Sequence, residues 1–189
     1  MGGGGCGREV LEVDCPALAA GELAISELRG AQSGPDTYGE WIELYNPGGG
    51  AIDLAGLVVT LQRLDGSDQA RIVVRDRDVT IEAGGYLVLG RFEAGAEPDH
   101  VDYGYLIDFD TDLYENGALR VEACDIVVDE FVYDVGLTDE GTYGFDGDLD
   151  PDAMDNDDTD SWCVDMTPGG PTTELGIRGT PGERNRPCP

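Results

Sequence analysis

Gly39-Glu40-Trp41-Ile42-Glu43-Leu44-Tyr45-Asn46 reads GEWIELYN and runs straight into Pro47-Gly48. Ile, Tyr and Trp favour a pleated, half-buried surface, and Asn-Pro-Gly breaks it, so the stretch predicts one short strand. Side chains alternate across a strand, which places Trp41, Glu43 and Tyr45 on one face and Glu40, Ile42 and Leu44 on the other. Ile42 and Leu44 are expected in the core, with Trp41 and Tyr45 partly covered. The stretch carries no catalytic pattern.

Working outward, the same kind of segment recurs. LAISELR (Leu23–Arg29) precedes it. LVVTLQRL (Leu57–Leu64), ARIVVR (Ala70–Arg75), GYLVLGR (Gly85–Arg91), Val101–Ile107, GALRVEAC (Gly117–Cys124) and IVVDEFVY (Ile126–Tyr133) follow. Turn residues separate them, and the short links at Asp65-Gly66 and Cys124-Asp125 predict hairpins. Beyond Tyr133 the chain reads as acidic loop to Asp165, then as a Gly/Pro-rich tail. No helical periodicity lasts longer than a turn or two. The pattern predicts an all-β fold, a sandwich with long acidic and Gly/Pro-rich loops, with barrel closure as the alternative. A Gly-rich tail over residues 1–21 precedes a domain over 22–187.

Composition narrows the function classes. Among 189 residues, 40 are acidic and 11 basic, for a net charge of -29. Phosphate binding rests on basic side chains and counterion release, so nucleic acid is excluded as a partner. Anionic membranes are disfavoured for the same reason. An acidic surface instead binds cations, meets basic partners, or keeps a secreted protein soluble. No apolar run is long enough to cross a membrane as a helix, so membrane insertion is not expected.

The five cysteines are Cys6, Cys15, Cys124, Cys163 and Cys188, with no CxxC and a single histidine, His100. A zinc site therefore has few ligands to draw on. Scattered cysteines in an acidic β-rich chain point to disulfides and an oxidising compartment, extracellular or at the cell surface. Five cysteines allow many pairings. Cys124 ends a strand and Cys163 lies in a compact segment after the acidic loop, which suggests Cys124–Cys163. Both tails need an anchor, which suggests Cys15–Cys188. Cys6, in the glycine tail, is left over. No apolar stretch precedes it, which argues against a lipid there, and the Met-Gly-rich opening reads as a trimmed or engineered terminus.

LAISELR, GEWIELYN, DLAGLVV (Asp53–Val59), AGGYLVLGR (Ala83–Arg91), NGALRVEAC, IVVDEFVY and GTPGERN (Gly179–Asn185) occur in this order. The ordered set resembles the lamin-tail domain from about Leu23 to Asn185. The resemblance implies an immunoglobulin-like β-sandwich and an interaction module. Bacterial members of this kind are domains of secreted or surface proteins. The chain departs from the nuclear type: it has no coiled-coil rod, no basic localisation signal, and a large acidic insertion. The resemblance transfers no catalytic residues.

The strongest chemical signal is the acidic loop. Asp146, Asp148, Asp150 and Asp157 fall at the first, third, fifth and twelfth positions of a calcium loop, and Asp152 adds another carboxylate. The sixth position is Pro151 where glycine is wanted, and the twelfth ligand is Asp rather than Glu. Calcium is the expected ion, because oxygen-only ligands favour it over zinc or copper. The alternative is a solvated acidic loop. No basic residue occurs from Gly136 to Asp165, so no neighbour in sequence neutralises the loop. Asp108, Asp110 and Asp112 form a second alternating set, expected on one face of a strand; the two sets could converge on one ion.

Other chemistries read weakly. Paired carboxylates could serve a glycosidase, but acids are too common here to single out a pair. There is no GxSxG, and His100, expected in an exposed loop, is the only candidate base. Trp162 is expected to pack in the core beside a disulfide. Tyr38, Trp41, Tyr103 and Tyr105 could form a carbohydrate-stacking surface, or be ordinary strand aromatics. The sequence therefore favours a non-catalytic extracellular or cell-surface interaction module with a protein or cell-surface partner, possible calcium stabilisation and no assigned oligomeric state. The competing reading is a substrate-binding (carbohydrate) accessory of a secreted hydrolase, or the hydrolase itself.

Overall fold

The computed structural model describes residues 15–32, 38–134, 137, 141–167 and 178–189. The described residues form β1 (Ala24–Arg29), β2 (Trp41–Tyr45), β3 (Ile52–Asp53), β4 (Val58–Gln62), β5 (Ala70–Val73) and β6 (Thr80–Ile81). These are followed by β7 (Tyr86–Gly90), β8 (Tyr103–Gly104), β9 (Gly117–Ala123), β10 (Ile126–Tyr133), β11 (Thr142–Phe145) and β12 (Trp162–Asp165). One sheet has the order β12-β11-β1-β2-β7-β8 and the other β10-β9-β4-β5, with β3-β6 as a small separate ribbon. Every pairing is antiparallel except β7 with β8. The hairpins expected at Asp65-Gly66 and Cys124-Asp125 join β4 to β5 and β9 to β10.

The two sheets close over a core that includes Ile25, Leu28, Ile42, Leu44, Val59, Leu61, Leu119, Val121 and Phe131. Ile42 and Leu44 thus point inward as their alternation requires. The opposite face of the six-stranded sheet is covered as well. Trp41, expected to be partly covered, is fully buried against Val88 and Val101, with Tyr38 and Phe92 packed alongside. Tyr45 is half-buried, its ring 4.8 Å from that of Tyr86. With both faces covered, all six residues of β1 are buried.

Several sequence expectations need correction. Of Val101–Ile107 only Tyr103–Gly104 is strand; the chain then turns, leaving Ile107 84% exposed. The region after Tyr133 is not all loop: β11 and β12 pair with each other, and β11 pairs with β1. TYGF and WCVD are too short to show an alternation, and only their pairing makes them strands. Trp162 is buried as expected, but its main contacts are aromatic: Phe131 stacks at 4.1 Å and Tyr143 at 5.1 Å.

The disulfides join Cys15 to Cys124 and Cys163 to Cys188, with Cα atoms 5.7 Å apart in each. The expected pairs Cys124–Cys163 and Cys15–Cys188 are both wrong, because the segment after Cys15 and the segment before Cys188 run to different sheets. The N-terminal segment runs beside β10, where the Gly21 amide donates to Val128 O at 2.8 Å, and so reaches Cys124 in the β9–β10 turn. The C-terminal segment returns to β12, where Cys163 lies. Leu18 is 5% exposed, so the chain packs on the domain from the first disulfide onward. Cys6 lies outside the described residues.

Candidate functional site

The acidic loop follows β11. Asp146 Oδ1 accepts the backbone N–H groups of Asp148 and Cys188, each at 3.0 Å, and this hydrogen bonding holds its carboxyl below the usual range. Asp150 pairs at 2.9 Å with Arg184, whose guanidinium also donates to Gly147 O and Leu149 O. Asp152 Oδ1 accepts the Met154 amide and Asp158 Oδ1 that of Asp160. Burial pushes the Asp157 carboxyl up, with Glu130 adding to the effect. Asp148 stays exposed. Asp146, Asp152 and Asp158 thus serve local turns and Asp150 an arginine. Among the described residues no three His, Cys, Asp or Glu side chains gather as a metal-holding group.

Two features answer the charge problem posed by a stretch without basic residues. The C-terminal segment supplies Arg184 to Asp150 and Arg186 to Asp165. Asn156, fully buried, pins the loop to the core: its Nδ2 donates to Ile25 O at 3.0 Å and to Asp129 Oδ2 at 2.8 Å, and its carbonyl accepts the Trp162 indole N–H at 2.8 Å. Asp129 Oδ2 also accepts the Ile25 amide, and burial pushes this carboxyl up to about 6.

Asp108 and Asp112 of the second acidic set pair with different arginines, and the set is not on a strand. Asp108 takes both Arg75 guanidinium nitrogens, at 2.6 and 2.7 Å, and accepts the Val73 amide at the edge of β5. Asp112 pairs with Arg91, which also holds Glu40. A groove of about 800 Å³ lies along residues 108–116 and 68–70. The aromatics do not share an exposed face. Trp41 and Tyr105 are fully buried, and the Tyr103 hydroxyl donates to Val73 O at 2.9 Å. His100 is half-buried rather than exposed, with Nε2 2.9 Å from Tyr38 O.

The arrangement that sequence reading missed lies on the outer face of the six-stranded sheet. Register places Glu27 of β1 directly opposite Glu43 of β2, and both are buried. A register shift between Ile25 and Glu27 lets both strands keep Ile25, Leu28, Ile42 and Leu44 in the core while two carboxyls meet on the far side. Like charges directly opposite on a sheet repel. Residues 178–186 cover them. Glu27 Oε1 accepts the Thr142 hydroxyl at 2.9 Å and the Thr180 amide at 3.0 Å, and Oε2 accepts the Trp41 indole at 3.0 Å. Glu43 Oε1 faces the Ser26 hydroxyl at 2.8 Å, and Oε2 accepts the Gly182 amide at 2.7 Å. Asn185 donates to Ser26 O at 2.7 Å and accepts from Thr180. Burial pushes Glu27 up to about 7 and Glu43 well above the carboxylate range, the latter with repulsion from Glu27. The one available signal was alternation, which put Glu43 on the face of Trp41; nothing local showed that a distant segment seals that face.

The profile of the Lamin Tail Domain family matches residues 16–123, which span the chain from the first disulfide to the end of β9. IVVDEFVY and GTPGERN lie beyond the matched residues, although β10 to β12 and the segment over Glu27 complete both layers. No curated protein and no solved structure matches. A β-sandwich of two main sheets is the immunoglobulin-like architecture that the family shares, and a match over more than half of the chain shows that the protein belongs to the lamin tail domain family.

Proposed function

We propose that this domain is a non-catalytic interaction module that works outside the cell or at its surface, with a protein or surface partner. One observation carries the reading: two disulfides fasten both ends of the described fold, one behind β10 and one behind β12. Such cross-links persist in oxidising compartments and are reduced in the cytosol. Asp146, Asp108 and Glu40 are used as a turn cap, a strand-edge acceptor and an arginine partner. Isolating the protein from its own cells under rapid thiol alkylation tests the compartment. Cys15–Cys124 and Cys163–Cys188 should be recovered as disulfide-linked peptides; alkylated thiols at all four would overturn the reading.

Calcium ordering of the loop from Asp146 to Asp158 belongs to the same proposal. The exposed carboxylates of Asp148, Asp150 and Asp152 are the flexible oxygen donors calcium prefers. Arg184 would have to yield Asp150. Affinity at the level of extracellular calcium modules, around 10⁻⁴–10⁻³ M, would raise the melting temperature with millimolar calcium by mass action. Asn at 148, 150 and 152 should abolish that response without unfolding the domain. Asp146 is left intact because it caps the loop. An equal shift with magnesium or sodium chloride would identify simple screening.

A further inference from the structure

Glu27 and Glu43 form a buried acidic pair whose hydrogen-bond partners are chemically unequal. Glu27 accepts two N–H groups, the Trp41 indole and the Thr180 amide, which can only donate. These partners suit a carboxylate. Glu43 accepts one N–H, from Gly182, on Oε2. Its Oε1 faces the Ser26 hydroxyl, which can reverse and accept. A proton on Glu43 Oε1 therefore keeps every hydrogen bond and leaves one charge on the pair instead of two. Two further acids add to the pressure to hold it: Asp165 of β12, itself paired with Arg186, acts on Glu27, and Asp102, ahead of β8, on Glu43; the buried Arg29 of β1 lies on the same face, over the Trp41 ring. Tyr86 of β7 also feels Glu43, and Arg184 of the covering segment lies within electrostatic reach of Tyr86.

Residues 184–186 are held by arginine pairs and by Asn185, whereas the stretch over the carboxyls is held by the pair itself. Thr180 and Gly182 give their backbone amides to Glu27 and Glu43. Gly179 adopts φ +102°, and a Cβ there would meet Thr142 Oγ1 at 2.6 Å and Glu27 Oε1 at 2.8 Å, so the segment sits in backbone contact with the carboxyls. Its far end is held covalently by Cys188 to Cys163 on β12.

We propose that residues 178–186 are a proton-controlled strap: seated while Glu43 shares a proton with Ser26, and lifted about its Cys188 anchor when that proton leaves. The second buried negative charge opposite Glu27 then has no buried compensation, and water must reach it. Lifting uncovers Ser26, Glu27, Glu43 and Thr142 on the outer face of β1, β2 and β11, and leaves the core between the sheets intact.

Amide hydrogen exchange on the full chain, read by mass spectrometry from pH 6.5 to 9.5 and normalised to the chemical exchange rate, tests this. The peptide over 178–189 should lose at least tenfold in protection over two pH units, while peptides from β4 and β9 keep theirs. Glu43→Gln supplies a neutral side chain that donates to Ser26 and accepts from Gly182, so its strap should stay protected throughout. Ser26→Ala removes the hydroxyl that donates to the Glu43 carboxylate, a stronger hydrogen bond than the one the protonated acid makes to it, and should move the wild-type midpoint to higher pH by about one unit. The proposal is overturned if the wild-type strap is equally protected at every pH, if β4 and β9 open in step with it, or if Glu43→Gln keeps the wild-type profile. Should Glu43→Gln fail to fold, an unmoved midpoint in Ser26→Ala overturns it alone.

Discussion

Asn156 shows how one residue substitutes for charge neutralisation. It lies within the most acidic stretch of the chain, yet it is fully buried and joins β1, β10 and β12 through Ile25 O, Asp129 Oδ2 and the Trp162 indole. Asn156→Ala keeps the carbonyl that Trp162 uses but removes the Asn156 donor to Ile25 O and one of the donors to Asp129 Oδ2, which keeps the Ile25 amide. A buried group that loses its donor costs about 1–3 kcal/mol, so a loss of that size is expected. Urea unfolding should show it as a lower midpoint at unchanged slope. Asn156→Asp tests the electrostatics of the same position: it should cost more at pH 8 than at pH 5, where Asp129, titrating near 6, is protonated.

At the scale of elements, the two disulfides fasten different ends of the fold with loops of different size. Cys15–Cys124 closes a separation of 109 residues and Cys163–Cys188 one of 25. Closing a longer loop removes more entropy from the unfolded chain. Ser at both members of the first pair is expected to cost about 3–5 kcal/mol, roughly 1 kcal/mol more than Ser at both members of the second. Denaturation of the two double variants compares them directly. Cys124 adopts φ +55°, a left-handed conformation rarely used by residues other than glycine. The disulfide and the β9–β10 turn together hold it there, where β9 hands over to β10.

The whole molecule carries a net charge of -29, yet several of its carboxyls are buried. Glu27 moves from 4.5 to about 7 and Asp129 from 3.8 to about 6, both chiefly by burial. A raised folded-state pKa means that the folded chain binds protons the unfolded chain has released. Their contribution to stability is fully present below about pH 4 and is lost as pH rises through 6 and 7. Glu43 acts in the same sense. The melting temperature is therefore expected to fall from pH 5 to pH 8. Glu27→Gln should flatten the part of that fall near pH 7. A melting temperature that stays level or rises across this range would overturn the expectation, because acids with a lowered pKa such as Asp65 and Asp146 change stability only below about pH 4.

Alternation along GEWIELYN determined which residues face the core, because strand geometry leaves only two faces. Turn chemistry at Asp65-Gly66 and Cys124-Asp125 determined the two hairpins, because their partners are neighbours in sequence. The order of motifs determined the family. Tertiary structure alone decided the rest. Disulfide pairing depended on where the segments at Cys15 and Cys188 arrive, one beside β10 and the other beside β12. TYGF and WCVD became strands only through each other and β1, since four residues carry too little pattern to declare themselves. The acidic loop looked short of counter-charge because Arg184 lies more than thirty residues from Asp150 along the chain and 2.9 Å from it in space. Glu43 is polar and sits in an alternating strand, so local physics sends it toward water. Only the return of residues 178–186 across the sheet seals it against Glu27, and no property of either segment alone contains that closure.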